Sequence, residues 1–186
     1  MNNKVITVSV LLLALTSPTA LAAEKSDYAG QEQRAIKALS ETEVADLLAG
    51  KGMGYAKAAE LNGYPGPAHV LELGDKLDLT PSQRERTQAI FDRMQASAQA
   101  LGAELVAAER VLDRAFRDRS VDASTLSDRV ADIARIESRL RVVHLKAHLE
   151  LTGLLDDHQV ARYSVLRGYV GGDPHQGGHG HHQSGH

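Results

Sequence analysis

Residues 79–117 read LTPSQRERTQAIFDRMQASAQALGAELVAAERVLDRAFR, and this stretch decides the fold. It opens as a helix does: Thr80 can cap a backbone N–H with its side chain, Pro81 suits the first helical position, and Gln83 can bond back to the cap. At about 3.6 residues per turn, a helix over this stretch would have roughly ten turns. Its buried stripe is predicted by apolar residues that recur at three- and four-residue steps, namely Ile90, Met94, Leu101, Leu105, Ala108 and Leu112.

A second long amphipathic pattern follows a polar break at residues 119–124, and Gly153 ends it. Residues 155–159, LDDHQ, then repeat the chemistry of a helix start, with Asp156 as the cap and Gln159 three residues on, and predict a last helix over residues 157–169. Two long helices joined by a short break predict an antiparallel helical hairpin. No stretch has the alternation of a strand, so we expect an all-α fold.

Short capped helices are expected to flank the hairpin. Ser40 and Glu43 form another capping box, and residues 53–61 and 68–77 also have helical patterns. Residues 32–39 are expected to form a turn or two of helix.

The chain divides into four parts on this basis. Residues 1–22 form a signal peptide, 23–67 an N-terminal extension with short helices, 68–170 the hairpin domain and 171–186 a tail. The tail is rich in Gly, His, Gln and Ser, a composition that cannot bury enough apolar surface to order itself.

The first residues predict export. A positive Lys4, an apolar run at residues 5–15 and the small-residue sequence ending at Ala22 are typical of a signal peptide, with cleavage expected after Ala22. An uncleaved N-terminal anchor is the alternative. The chain has no cysteine, so it has neither disulfides nor thiolate ligands, and a bacterial periplasm suits it.

Composition and motifs argue against two functional classes. The net charge is -3, and no basic patch carries interleaved aromatic residues, so we expect no nucleic-acid partner. We found no catalytic triad, P-loop or nucleotide-binding glycine pattern, so the protein is not expected to be an enzyme.

Histidines are the residues most suited to chemistry. His144 and His148 are four residues apart on the return helix, so both imidazoles can face one ion. His69 and Glu72 are one turn apart before the first cap and could complete a site, as could a second subunit. The alternative is that these histidines are structural or surface residues.

The tail adds a flexible group of imidazoles. Neutral imidazole binds Zn, Cu, Ni and Co, so we expect the tail to take part in metal binding. The alternative is a solvated tail with incidental affinity. The tail histidines are His175, His179, His181, His182 and His186.

Two LTxxQ-type motifs around a helical hairpin, in an exported chain without cysteine, resemble the Spy/CpxP family of periplasmic proteins. That family includes ATP-independent chaperones, zinc-resistance-associated proteins and the heavy-metal sensors of cobalt–nickel resistance systems. The first motif is complete at residues 79–83. In the second, Asp156 replaces the threonine and is an equally good cap. The resemblance covers residues 68–169.

The resemblance also implies a metal site. The metal-sensor branch has a histidine before the first motif, matched by His69, and a His-x-x-x-Met pair on the return helix. His144 matches the histidine of that pair, and His148 stands where the branch has methionine. A further histidine of the branch corresponds to Leu73, and its glutamate falls near residues 91–92, so two ligand positions are not filled.

The family likeness implies a homodimer whose hairpins form a curved cradle. The expected function is a periplasmic heavy-metal-binding protein in metal sensing, metal resistance or the envelope stress response. Metal binding would change either the geometry of the dimer or an interaction with a membrane-bound signalling partner. The alternative is an ATP-independent chaperone that holds unfolded periplasmic clients. The histidines favour the metal function, because they would add nothing to client holding.

Overall fold

The computed structural model describes residues 25–170, so the expected signal peptide and the His-rich tail lie outside the described residues. The prediction of an all-α fold is confirmed: residues 25–170 contain no strand, only an isolated bridge between Ile36 and Leu39. The helices are a short 3-10 helix at Gln31–Gln33, then α1 (Glu41–Leu48), α2 (Lys57–Glu60), α3 (Pro67–Glu72), α4 (Pro81–Arg117), α5 (Ala123–Thr152) and α6 (Asp157–Leu166).

The two long helices, α4 and α5, pack side by side and run antiparallel. Ion pairs join them at two levels, Arg93 with Glu150 at 2.6 Å and Arg139 with Glu104 at 3.1 Å. The break between them is short because Asp122 caps α5 with its own carboxylate. No helix within residues 25–170 combines the length and the apolar character that a membrane span needs.

Three predicted capping boxes are present, each with both reciprocal hydrogen bonds: Ser40 with Glu43, Thr80 with Gln83, and Asp156 with Gln159. The last two boxes meet in space. Nε2 of Gln83 donates to Oε1 of Gln159 at 2.8 Å, and Nε2 of Gln159 donates to the carbonyl of Leu77 at 3.2 Å. We call the side chains of Gln83 and Gln159 the glutamine clasp; it fixes the start of α4 against the start of α6.

The short helices are shorter than the sequence predicted. Residues 32–39 have only one 3-10 turn. Of residues 53–61 only α2 is helical, because Met53 and Gly54 have positive φ angles of 43° and 82°. The helix predicted at 68–77 ends at Glu72, and α6 ends at Leu166, two residues before Gly168 with φ 75°.

The segment after α3 packs against the start of α4. Gly74 lies against the guanidinium of Arg84, where an added Cβ would approach Nη1 to 2.7 Å. Asp78 then adopts a positive φ of 51° before the cap of α4. The apolar periodicity of this segment is still used, since Val70 and Leu77 are both buried.

Two apolar clusters form the core. One cluster joins α1 and the preceding turn to the middle of the long helices; its buried members are Ile36, Leu47, Ala98, Leu101, Leu105, Val106, Ile133 and Leu140. The other joins α3 and α6 to the start of α4 and the end of α5. Its buried members are Val70, Leu77, Ile90, Ala147, Leu151, Leu155 and Tyr163.

The N-terminal extension packs directly on the long helices. The backbone of α1 comes so close to Gly102 on α4 that a Cβ there would lie 2.1 Å from the carbonyl oxygen of Leu47. Residues before position 68 therefore share a core with α4 and α5. They also build one wall of the cleft described next.

Candidate metal centre

A cleft of about 710 Å³ lies between the N-terminal extension and the long helices. His69 of α3, Met94 of α4, and His144 and His148 of α5 all line it. The three helical histidines that the sequence singled out therefore share one cleft. His144 and His148 reach it from the stretch of α5 where the two apolar clusters meet.

His148 is held in a defined tautomer. Its Nδ1 lies 2.8 Å from the carbonyl oxygen of Tyr64, and a carbonyl can only accept, so Nδ1 carries the proton and donates. In the neutral ring, Nε2 then has the free lone pair. Metal-bound histidines are commonly oriented in this way, by a hydrogen bond from the other ring nitrogen. Tyr64 begins the Tyr-Pro-Gly-Pro turn, which presents this carbonyl.

His69 has a similar arrangement on α3. Its Nδ1 lies 3.1 Å from Oε2 of Glu72, one turn further along α3. An ionised carboxylate only accepts, so this contact also leaves Nε2 as the nitrogen with a lone pair. The side chain of His69 is 39% exposed, so it lies at the mouth of the cleft.

His144 is the most buried of the three, with 2% exposure. Its ring stacks on Tyr55, with centroids 5.9 Å apart and an interplanar angle of 6°. Its Nε2 is buried and has no hydrogen-bond partner. Burial, with a smaller contribution from the charge of His148, lowers the pKa of His144, so the ring stays neutral and able to bind an ion.

Glu60 is a residue of the cleft that the sequence did not reveal. Its Oε1 accepts from the hydroxyls of Tyr163 at 2.6 Å and Tyr169 at 2.9 Å, and from Nε of Arg167 at 3.3 Å. Its Oε2 is buried without a hydrogen-bond partner, 3.8 Å from Nδ1 of His148. Nothing in the sequence distinguishes this glutamate, because its partners at the cleft are all far away along the chain.

The backbone of Gly66 packs closely against both of these groups. A Cβ built there would lie 3.2 Å from Nε2 of His148 and 3.2 Å from Oε2 of Glu60. An imidazole nitrogen and a carboxylate oxygen, both ligand atoms for transition metals, therefore lie next to the same glycine, which has no room for a side chain.

The side chains do not yet form a complete coordination sphere. Among residues 25–170, no group of three or more His, Asp or Glu is arranged so that it could hold a metal ion. The predicted tail ligands His175, His179, His181, His182 and His186 lie outside the described residues.

Comparison of the chain with protein-family models, with curated proteins and with solved structures found no match.

Proposed function

We propose that the chain is a periplasmic heavy-metal-binding protein of the Spy/CpxP type that acts in metal sensing or resistance. Its ion would be held by His69, His144 and His148, with the tail histidines as accessory ligands. The observation that carries the proposal is the chemistry of the cleft. It is lined by three imidazoles, two of them oriented through Nδ1 and one with a buried nitrogen that has no partner.

A bound ion would remove a cost that the protein bears without it. A buried polar atom without a hydrogen bond destabilises a protein by about 1–3 kcal/mol. Coordination of Nε2 of His144 would supply the missing partner. His69 is exposed enough to rotate toward the ion, which would bring the three nitrogens together.

The tail supports the same function by its position in the sequence. Tyr169 lines the cleft, and the tail begins two residues later. His175 is therefore six residues from the edge of the cleft. We infer that the tail raises the local concentration of ions at the cleft, as a flexible tether does for a second binding event.

Binding would be transmitted by the N-terminal extension. One wall of the cleft belongs to the extension and α3 and the other to α4 and α5, so an ion held between them would change how tightly they close. In the proposed homodimer, this change would alter the geometry of the cradle or its contact with a membrane-bound signalling partner.

A chaperone of the same family is the second candidate, and one surface favours it. Val142 and Leu149 are 44% and 58% exposed and seven residues apart, so they lie on the same side of α5. Against it, Arg139 beside them is already paired with Glu104 and so offers less charge to a client. The test is whether the protein suppresses aggregation of an unfolded client. The chaperone function would be favoured if suppression persists without metal and is lost in the double variant Val142→Ser with Leu149→Ser.

The metal function is tested by calorimetric titration with Zn, Cu, Ni and Co. The protein is purified after export, and its N-terminus is sequenced to test cleavage after Ala22. A tail variant has serine at its five histidines. In that background His144→Ala with His148→Ala removes two of the three cleft ligands. His158→Ala, at an exposed helical histidine, is the matched control.

We expect the tail variant, with or without His158→Ala, to bind one ion per chain. Adding His144→Ala and His148→Ala to the tail variant should abolish this binding. If binding is lost with the tail histidines alone, the cleft is not a metal site. Sedimentation of the same samples with and without metal tests the dimer and its response.

A further inference from the structure

Methionines are concentrated at the cleft. The chain has three, and one of these is Met1. The other two, Met53 and Met94, both line the cleft that contains His144 and His148. They come from different parts of the chain, since Met53 lies in the loop after α1 and Met94 on α4.

Packing accounts for Met94 but not for Met53. Met94 packs against the apolar cluster of α3, α6 and the long helices. Met53 is 40% exposed and adopts a positive φ of 43°, a conformation that is uncommon for a side chain of this kind. A long apolar residue in that position, at the edge of a cleft rather than in the core, suggests a role for its sulfur.

We propose that the cleft selects a soft monovalent ion, Cu(I), with the Sδ atoms of Met53 and Met94 and the Nε2 atoms of His144 and His148 as its donors. This inference rests on the proposed function and specifies the ion. Thioether sulfur favours Cu(I), whereas Zn, Ni and Co are bound well by imidazole alone.

The charges around the cleft favour the same ion. Thioethers and neutral imidazoles bring no negative charge. The charge of the buried carboxylate, Glu60, is already paired with the guanidinium of Arg167 at Oε1, which also accepts from two tyrosine hydroxyls, while its Oε2 has no partner. Glu72 is exposed and paired with His69. A divalent ion would therefore leave more uncompensated charge in a partly buried site than a monovalent ion would.

Cu(I) affinity is measured anaerobically by competition with a chromophoric Cu(I) chelator, and Zn(II) affinity by calorimetry. Both use the full exported chain with serine at the five tail histidines. Met53→Leu with Met94→Leu keeps size and apolarity, a change that cores tolerate well; thermal unfolding verifies the fold. Loss of a second-shell partner alone lowers metal affinity about ten- to a hundredfold, so we expect Cu(I) affinity to fall by at least about a hundredfold. Zn(II) affinity should be unchanged.

X-ray absorption at the copper edge of the unsubstituted cleft gives an independent answer. Sulfur scatterers at the bound ion, absent in the leucine variant, are expected. Only nitrogen and oxygen scatterers, or a Cu(I) affinity that the leucines leave unchanged, would overturn the inference while Zn(II) binding still supported the proposed function. Failure of both Cu(I) and Zn(II) to bind would overturn the proposed function and the inference together.

Discussion

The glutamine clasp and the cleft that contains His144 and His148 both include buried polar groups, and α6 contributes a residue to each. Gln159 belongs to the clasp, and Tyr163, one turn later, holds Glu60 at the cleft. In the clasp each amide bonds to the other, to a backbone carbonyl and to the cap of its own helix. In the cleft, Oε2 of Glu60 and Nε2 of His144 are buried without partners.

The difference separates a structural cluster from one that is ready for a ligand. Buried polar groups are nearly always hydrogen-bonded in proteins, so each exception needs a reason. The clasp satisfies this rule between residues 76 positions apart. The cleft breaks it twice within one site. We therefore expect substitutions in the clasp to change stability and substitutions in the cleft to change binding.

The largest effect is expected from Gln159→Ala. This change removes the hydrogen bonds of one amide to Gln83, to the carbonyl of Leu77 and to the backbone N–H of Asp156. Each costs about 1 kcal/mol, so urea denaturation should show a loss of about 3 kcal/mol in unfolding free energy. Metal affinity should not change.

The matched control for the clasp is Gln88→Ala. Gln88 is an exposed glutamine on the same long helix, bonded only to Asp92 one turn away, and its loss should change stability by less than about 0.5 kcal/mol. Equal effects of the two substitutions would mean that the clasp adds nothing beyond an ordinary surface contact.

An intermediate effect, on binding, is expected from Gly66→Ala. The backbone of Gly66 is extended, with φ -88° and ψ 138°, so alanine is not strained there. Its methyl would lie 3.0 Å from Cε1 of His148 and 3.2 Å from Oε2 of Glu60, too close for either group to keep its position. Metal affinity should fall about tenfold, equivalent to about 1.4 kcal/mol, as measured by calorimetry in the tail variant.

Gly52→Ala is the control for this change. Gly52 also lines the cleft, but a Cβ there would meet nothing within 4 Å. Its metal affinity should equal that of the parent. If Gly66→Ala also binds like the parent, the position of the His148 ring beside Gly66 does not matter for the ion.

The sequence could predict those features whose interacting residues lie close together along the chain. The caps at Thr80 and Asp156 are local, because each box needs only residues three apart, and the apolar stripes of the long helices are nearly as local. The clasp was not predicted, because Gln83 and Gln159 meet only when the helices pack. Glu60 was missed for the same reason: its neighbours at the cleft come from more than eighty residues away.

The histidine pair shows the limit of a helical wheel. Spacing placed His144 and His148 on one face and near the apolar seam, and both are buried. It could not show that the turn at Tyr64 supplies a carbonyl for one ring while the other is left without a partner. Those features depend on the N-terminal extension, whose role the periodicity of the hairpin does not reveal.

The smallest effect is expected in the pH dependence of stability. The folded state lowers the pKa of His144 through burial against Tyr55 and through the nearby charge of His148. Above the unfolded value of about 6.5 the ring is neutral in both states. As the pH falls below that value, the unfolded state takes up the proton first, so stability declines until the pH passes the folded pKa. In His144→Gln this contribution is absent, so the unfolding free energy should decline less between pH 7 and pH 5 than in the parent.

His158→Gln, which removes an exposed histidine from the first turn of α6, is the matched control. Metal should steepen the decline in the parent, because the ion and the proton compete for the same nitrogen. An identical decline in the parent and in His144→Gln, with and without metal, would show that the buried imidazole neither titrates with unfolding nor binds the ion.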